Sequence, residues 1–265
     1  MPIAEVPARL AAPGVARSLR GMSIGIAVAA LTVLGACAEV PTNPDERAEF
    51  EQVNDPLEPM NRKVFAFNNY LDDNVMVPVA KAYKNVLPGP VQRGIHNFLQ
   101  NLNEPYIAGN EILQGRLGKA FTDVARFVIN STFGIGGLWD LVADTGGPRA
   151  NNSDVGVTLG VWGVPAGPFL MLPFVGPSNP RDTVGLAADW WADPVDAGIE
   201  YPGGYLWAVY VRYGMATIDT RVQLLEPVAD LKRSSLDYYA AVRSLYRQKR
   251  RAAIGGESEP VPGQP

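Results

Sequence analysis

Apolar side chains fill residues 155–180, VGVTLGVWGVPAGPFLMLPFVGPSNP, without a single charge. A charge-free run of this length would ordinarily read as a transmembrane helix. Pro165, Pro168, Pro173, Pro177 and Pro180 forbid a continuous helix, and Gly156, Gly160, Gly163, Gly167 and Gly176 loosen the backbone further. Backbone broken in this way leaves N–H and C=O groups that hydrocarbon cannot satisfy. The stretch therefore lies on protein, lines a cavity, sits at an interface or forms a buried, loop-rich core. Trp162, Phe169, Leu170, Met171 and Phe174 are its candidates for contact with a membrane.

On either side the pattern is helical. Asn54-Asp55-Pro56-Leu57-Glu58-Pro59 places Glu three residues after Asp, with prolines at a helix mouth. It predicts a helix through Phe65, Phe67 and Tyr70. Short helices are expected over 78–87 and 91–102, separated by Pro88-Gly89-Pro90, with Pro105 opening another that runs to about Gln114. Over 117–132, Lys119, Asp123, Arg126 and Asn130 form one narrow polar stripe at helical spacing. Ala120, Phe121, Val124, Ala125, Phe127, Val128 and Ile129 cover almost everything else. A surface helix usually shows the reverse, a limited apolar face and a broad polar one. Either this helix is buried with its stripe towards solvent, or its apolar faces meet lipid and the stripe lines something wet.

Residues 203–225 repeat the inversion, with Arg212, Asp219 and Gln223 near one face and Tyr205, Leu206, Trp207, Tyr210 and Val211 among the rest. Between the two, Gly134, Gly136 and Gly137 make either a flexible edge or a plain turn. Asn179 and Pro180 open a helix that carries Trp190 and Trp191. Pro227 is expected to break the chain before a last amphipathic helix over 228–251 with a basic end. No alternating run exceeds a few residues, so the class is all-α.

The start of the 265-residue chain reads as an address rather than as structure. Arg17 and Arg20 precede a short apolar run from Ile24, which ends in Leu34-Gly35-Ala36-Cys37. This is the layout of a secretory signal, and its end resembles the bacterial lipobox, in which the cysteine is acylated. Cys37 is the only cysteine, leaving none for a disulfide or a thiolate cluster. The organisation expected is a signal over 1–36, an acylated Cys37 with a polar tether to residue 53, and a helical domain over 54–226. A C-terminal amphipathic helix over 227–252 and a disordered Gly/Pro/Glu tail over 253–265 follow. Without residues 1–36, which carry Arg9, Arg17, Arg20 and Glu5, the net charge moves from −4 to −6. An acidic chain is a poor partner for nucleic acid, and any lipid contact must be mainly apolar.

Candidate chemistry is sparse. His96 is the only histidine, too few for a His-rich metal site, and no Gly-x-Ser-x-Gly elbow accompanies it. Asp182, Asp189 and Asp193 lie near Trp190 and Trp191, where paired acids could act on a glycan, but capping and arginine pairing explain them more simply. No enzyme activity, metal or cofactor is expected.

Several motifs, in order, carry a family resemblance. They are Asn54-Asp55-Pro56-Leu57-Glu58-Pro59-Met60-Asn61-Arg62, Asn97-Phe98 with Asn101-Leu102, Leu113-Gln114-Gly115 and Arg126-Phe127-Val128-Ile129-Asn130-Ser131-Thr132. Gly134-Ile135-Gly136-Gly137, Thr158-Leu159-Gly160-Val161-Trp162-Gly163, Gly167-Pro168-Phe169, Leu172-Pro173 and Gly176-Pro177-Ser178 through Arg181-Asp182 follow. Together they resemble the MlaA (VacJ) phospholipid-binding lipoproteins. The resemblance implies a single ring-like bundle of amphipathic helices set in one leaflet of the outer membrane. A channel would let mislocalised phospholipids leave the outer leaflet and pass to a periplasmic lipid carrier, with trimeric porins as partners. Lys119, Asp123, Arg126 and Asn130 are then candidates for the headgroup route, or Asp123 and Arg126 simply hold the ring together. A porin scaffold that moves no lipid and a glycan-acting lipoprotein are the other readings.

Overall fold

The computed structural model describes residues 54–196 and 205–256. The expected signal, the acylated Cys37, the tether to residue 53 and the tail beyond residue 256 lie outside the described residues.

The described chain is helical apart from one small ribbon. Helix α1 (Glu58–Leu71) passes through a π-helical stretch (Asp72–Met76) directly into α2 (Val77–Val86). The wider turn has a local cause. Pro78 has no N–H to give the carbonyl of Asn74, and a π turn adds slack where a proline would otherwise break the ladder. Two ion pairs tie the stretch down, Asp72 with Arg221 at 2.6 Å and Asp73 with Lys232 at 2.8 Å.

Helix α3 (Gly89–Leu113) runs unbroken through Pro105, where the sequence pattern suggested a new start. An interior proline costs about 3 kcal/mol, and here tertiary packing outweighs it. Three neighbours hold α3 along its length: α4 (Leu117–Thr132), α6 (Val155–Val161) and α8 (Leu206–Gln223). A short α5 (Leu141–Asp144) lies between α4 and α6.

The charge-free segment folds as α6 and then a two-stranded antiparallel ribbon, β1 (Leu170–Leu172) with β2 (Gly176–Ser178). Two asparagines of α1, two turns apart, supply the missing partners at the ribbon edge. Asn61 donates to the carbonyl of Phe169 at 3.0 Å and accepts from the N–H of Met171 at 2.9 Å. Asn68 does the same for Leu172 and Phe174, both at 2.9 Å. Buried backbone groups that find no strand are thus satisfied by side chains.

This corrects one expectation. Phe169, Leu170 and Met171 do not face outward; they are buried, Phe169 being only 1% exposed. Phe169 and Met171 pack with Tyr239, Val64, Phe65 and Tyr246 in the hydrophobic cluster. Phe169 and Met171 share the face that α1 and the C-terminal helix cover, and Leu170, which alternation turns to the other face, is buried as well.

Helix α7 (Pro180–Ala192) starts as the sequence predicted, with Asn179 accepting from the N–H of Asp182 at 2.9 Å and Pro180 in the first turn. It crosses α6 where two glycines meet. A β-carbon on Gly185 would lie 2.5 Å from the nitrogen of Gly156.

The C-terminal region is two helices, α9 (Leu225–Ser234) and α10 (Tyr238–Gly255). Pro227 sits in the first turn of α9, where its missing donor is harmless. The chain breaks at Leu224, just ahead of this proline, and a second time after Ser234, where Asp237 caps α10 by accepting from Ala240 at 3.1 Å. Gly256 closes α10 in a left-handed conformation, φ 80°, so the helix reaches into the stretch expected to be tail.

The packing order closes on itself. Helix α3 meets α8, α8 meets α2, α2 continues into α1, and α1 meets β1; β2 meets α10, α10 meets α6, and α6 returns to α3. This is the ring-like all-α bundle. Among the described residues, no helix is long and apolar enough to cross a membrane.

Gly185→Ala should destabilise the protein by about 1–3 kcal/mol, since the added methyl meets fixed backbone. Gly214→Ala in α8, where a β-carbon meets nothing within 4 Å, should be neutral or stabilise by about 0.5–1 kcal/mol. Chemical denaturation of both variants in mild detergent measures the difference.

Candidate functional site

Helix α4 shows how the molecule is built. Its apolar faces point outward, with Phe121 75% exposed and Leu117, Val124 and Val128 also uncovered. Its polar stripe points inward, where Asp123, Arg126 and Asn130 are buried. Both halves of the sequence-level alternative are therefore modified. The apolar faces do lie outside, but the stripe meets protein rather than an open wet surface.

Arg126 is the centre of that contact. It is 2% exposed and its guanidinium is fully engaged. Nε donates to Glu104 of α3 at 2.8 Å, Nη2 to Asp140 at 2.9 Å and Nη1 to the carbonyl of Pro148 at 2.6 Å. Burial alone would lower its pKa, but the bonds to Asp140 and Glu104 outweigh burial and leave it raised. Asp140 also accepts from Asn130 at 2.9 Å and caps α5 through the N–H of Ala143 at 3.2 Å. Burial would raise the Asp140 carboxyl, yet these donors hold it below its ordinary value.

Asp123 is held differently. It is fully buried, and its donors are neutral and come from Asn151, whose Nδ2 stands at 2.7 Å and whose backbone N–H adds to it. Burial pushes its carboxyl up to about 6. Glu104 is pushed up to about 7 by burial, against the lowering effect of Arg126. Lys119, at the start of the stripe, is only half-buried. Of the four residues proposed for a headgroup route, three are thus closed in by α3 and the chain from Asp140 to Asn151. Lys119 alone keeps an open side.

The glycine turn after α4 is tightly built. Gly136 and Gly137 have φ 68° and 90°, and their N–H groups bond the carbonyls of Ser131 and Asn130. A β-carbon on Gly137 would fall 2.6 Å from Nδ2 of Asn101, and one on Gly134 2.2 Å from the carbonyl of Trp139. Close approach and positive φ account for these glycines as a turn. Ile135 beside them also has positive φ, 55°, and is exposed.

Helix α8 repeats the inversion. Tyr205, Leu206, Trp207, Tyr210 and Val211 are exposed, while Arg212 and Asp219 are buried. Gln223 departs from that face and is exposed. Arg212 is clamped by Asp193 at 2.8 Å, Asp196 at 2.6 Å and Asn103 at 2.7 Å. His96 meets Asp219 at 2.7 Å and so joins α3 to α8. The three acids weighed for catalysis all have structural partners: Asp182 bonds Arg181, Tyr246 and Arg250, Asp189 bonds Tyr106, and Asp193 bonds Arg212.

Two arginines of α10 also turn inward, while Lys249 and Arg251 at its basic end are exposed. Arg243 pairs with Asp55 at 2.7 Å and Glu58 at 3.2 Å, and Arg250 with Asp154 at 2.6 Å and Asp182 at 2.8 Å. The partners of these two arginines are acids of the chain itself.

Two candidates from the charge-free segment are uncovered. The Trp162 ring is exposed while its indole N–H donates to the carbonyl of Leu113 at 2.9 Å, and Phe174 is 79% exposed at the ribbon tip. Trp190, Trp191, Phe133 and Trp139 add to the apolar exterior. Glu104, Asp140 and Asn151, which decide what Arg126 and Asp123 can do, were missed by the sequence reading. The single hint was that a buried-looking arginine needs acids, without showing which.

Among the described residues, nineteen polar or charged side chains are buried against ten hydrophobic ones. A helical protein with ion pairs inside and large apolar residues outside is suited to a hydrocarbon surrounding rather than to water. That class is what the fold and site define together. The family model for MlaA lipoprotein matches residues 53–253, and the chain belongs to that family. An Escherichia coli relative, named intermembrane phospholipid transport system lipoprotein MlaA, is 36% identical over 234 residues, covering 86% of this chain and 88% of its own. A Haemophilus influenzae protein of the same name is 34% identical over 236 residues, covering 87% and 89%. A solved structure described as "Structural basis for maintenance of bacterial outer membrane lipid asymmetry" superposes with TM-score 0.64 at 35% identity, covering 76% of this chain and 98% of that one.

Removing one partner of a buried ion pair strands the others. Arg126→Ala should therefore lower the unfolding free energy by about 3–5 kcal/mol, whether or not lipid is present. Arg126→Lys should recover only part, because an ammonium cannot reproduce the three-way fork. Denaturant titration in detergent reads both.

Proposed function

We propose that this chain is an outer-membrane lipoprotein that moves phospholipid between membranes. It is held at the periplasmic face by a covalent lipid on Cys37. The observation that carries the reading is the inversion of α4 and α8, which expose their large apolar side chains and bury Asp123, Arg126, Arg212 and Asp219. Acyl chains impose no cost on the exposed Phe121, Val128, Trp207 and Val211, whereas water does. The names of the relatives supply the cargo, phospholipid.

In this function the ring sits in one leaflet. Trp162 and Phe174 meet the membrane, with aromatic side chains such as Tyr205 and Tyr210 at the boundary with water. Phospholipids leave the outer leaflet through the ring and are handed to a periplasmic carrier, with trimeric porins holding the protein in place. Lys119 contributes to the headgroup route; Asp123, Arg126 and Asn130 hold the wall behind it. The function makes and breaks no covalent bond and uses no cofactor, the phospholipid being cargo.

Two measurements test this. Full-length protein carrying Cys37→Ala, directed to the periplasm and purified in mild detergent, should retain stoichiometric phospholipid beyond a control lipoprotein. Lipid-free protein still bound to porin would replace transport with the scaffold reading. On the outer face, the double variant Phe121→Glu/Val128→Glu should lose association with phospholipid vesicles while keeping its helical circular dichroism in detergent. Undiminished vesicle binding would remove α4 from the lipid contact.

A further inference from the structure

The seam between α3 and α4 lacks hydrogen-bond donors. Its buried polar atoms without a partner are Oδ1 of Asn101, Oε2 of Glu104, Oε2 of Glu111, Oε1 of Gln114 and Oδ2 of Asp123. All are acceptors. Asn101, Glu104 and Glu111 stand on α3, Gln114 follows its last residue with its N–H groups given to Ser153 and Thr158, and Asp123 stands on the helix packed against α3.

The cations within reach do not cover the acids. Arg126 already serves Glu104 and Asp140. Arg116 stands 3.9 Å from Glu111, and its guanidinium is turned to the carbonyl of Ala253 at 2.9 Å. Lys119 acts on Glu111 only through space. Asp123 has no cation bonded to it; its donors are the side-chain and backbone N–H groups of Asn151. A buried carboxylate with only neutral donors is more costly than the neutral acid, which loses its charge and gains a donor of its own.

We propose that Glu104, Glu111 and Asp123 form a proton-held lock on the α3–α4 hairpin: at least one of them is a neutral carboxylic acid in the folded protein, and removing its proton loosens α4. The lock does not depend on the lipid reading. The ionisation tendencies agree with it. Burial raises all three acids, Glu104 to about 7 and Asp123 to about 6, and each of these two is raised further by another acid of the trio.

Among the groups that face α3 from its other neighbours, Asp219 of α8 meets His96 but keeps one buried oxygen without a partner, and burial pushes the Asp189 carboxyl of α7 up to about 6. Asp189 of α7 takes the hydroxyl of Tyr106, Arg212 of α8 is met by Asp193 and Asp196 as well as Asn103, and Thr158 of α6 bonds Asn110. Asp140 is held low by Arg126 and stays charged. A hydrocarbon surrounding at the outer face of α4 adds desolvation in the same direction.

The sign follows from the raised values. The closed hairpin keeps a proton that the opened one releases at the ordinary carboxylate range. Closure is therefore favoured at low pH and weakens as pH rises from about 4.5 through about 7, levelling above.

The test uses the full chain in mild detergent. Infrared spectra should show a protonated-carboxyl C=O band at pH 6 that is gone by pH 8.5 and reduced in Asp123→Asn and Glu104→Gln. Amide exchange of α4, corrected for its intrinsic pH dependence, should show an opening constant rising up to about tenfold per pH unit between pH 5 and 7 for one proton. In Asp123→Asn the rise should shrink, with α4 better protected than wild type at pH 8. A wild-type protein with no protonated-carboxyl band at pH 6 overturns the lock, whether or not the variants fold. So does an exchange slope that is the same in wild type and both variants.

Discussion

A charge removed from water must find an opposite charge or enough donors within hydrogen-bond reach, because a lone buried ion costs several kcal/mol. The architecture depends on meeting that demand at a few arginines. Arg126 joins α4 to α3 and to the cap of α5; Arg212 joins α8 to Asp193, Asp196 and Asn103; Arg243 and Arg250 bind α10 to the first helix mouth and to α6 and α7. Each guanidinium bridges segments far apart in the chain, and its planar fork allows two or three partners at once. The ring closes through these contacts as much as through its small apolar cluster around Phe169, Met171 and Tyr239.

An apolar exterior and an ionic interior are two sides of one solution. In water, hydrophobic burial would drive Phe121, Trp191, Trp207 and Tyr210 inward. Against hydrocarbon that drive vanishes, and polar groups are the ones that must be hidden. The chain answers by facing its polar stripes towards one another. Even the ribbon edge is covered, since Asn61 and Asn68 take the hydrogen bonds that a third strand would otherwise make.

The same logic separates satisfied from unsatisfied sites. Asp140 has three donors and stays charged. Asp123, one turn from Arg126 on the same helix, has only the neutral donors of Asn151 and is pushed up by burial. Two aspartates facing the same seam are thus pushed in opposite directions, Asp140 down by its donors and Asp123 up by burial.

Periodicity and punctuation were legible in the sequence. The stripe of Lys119, Asp123, Arg126 and Asn130 marked α4 as inverted, Asn179-Pro180 marked the start of α7, and the order of short motifs indicated the family. Proline was the weaker guide: Pro105 lies inside a continuous helix, Pro78 beside a π turn and Pro227 in a first turn. Helix spacing says that residues share a face, not what stands opposite that face. Only the tertiary structure decided that Glu104, 22 positions from Arg126, and Asp140, 14 positions away, would close the stripe. It also decided that Phe169, Leu170 and Met171 would turn into the core while Phe174 stayed out. Burial and charge state are set by neighbours distant in the chain, and no local pattern encodes them.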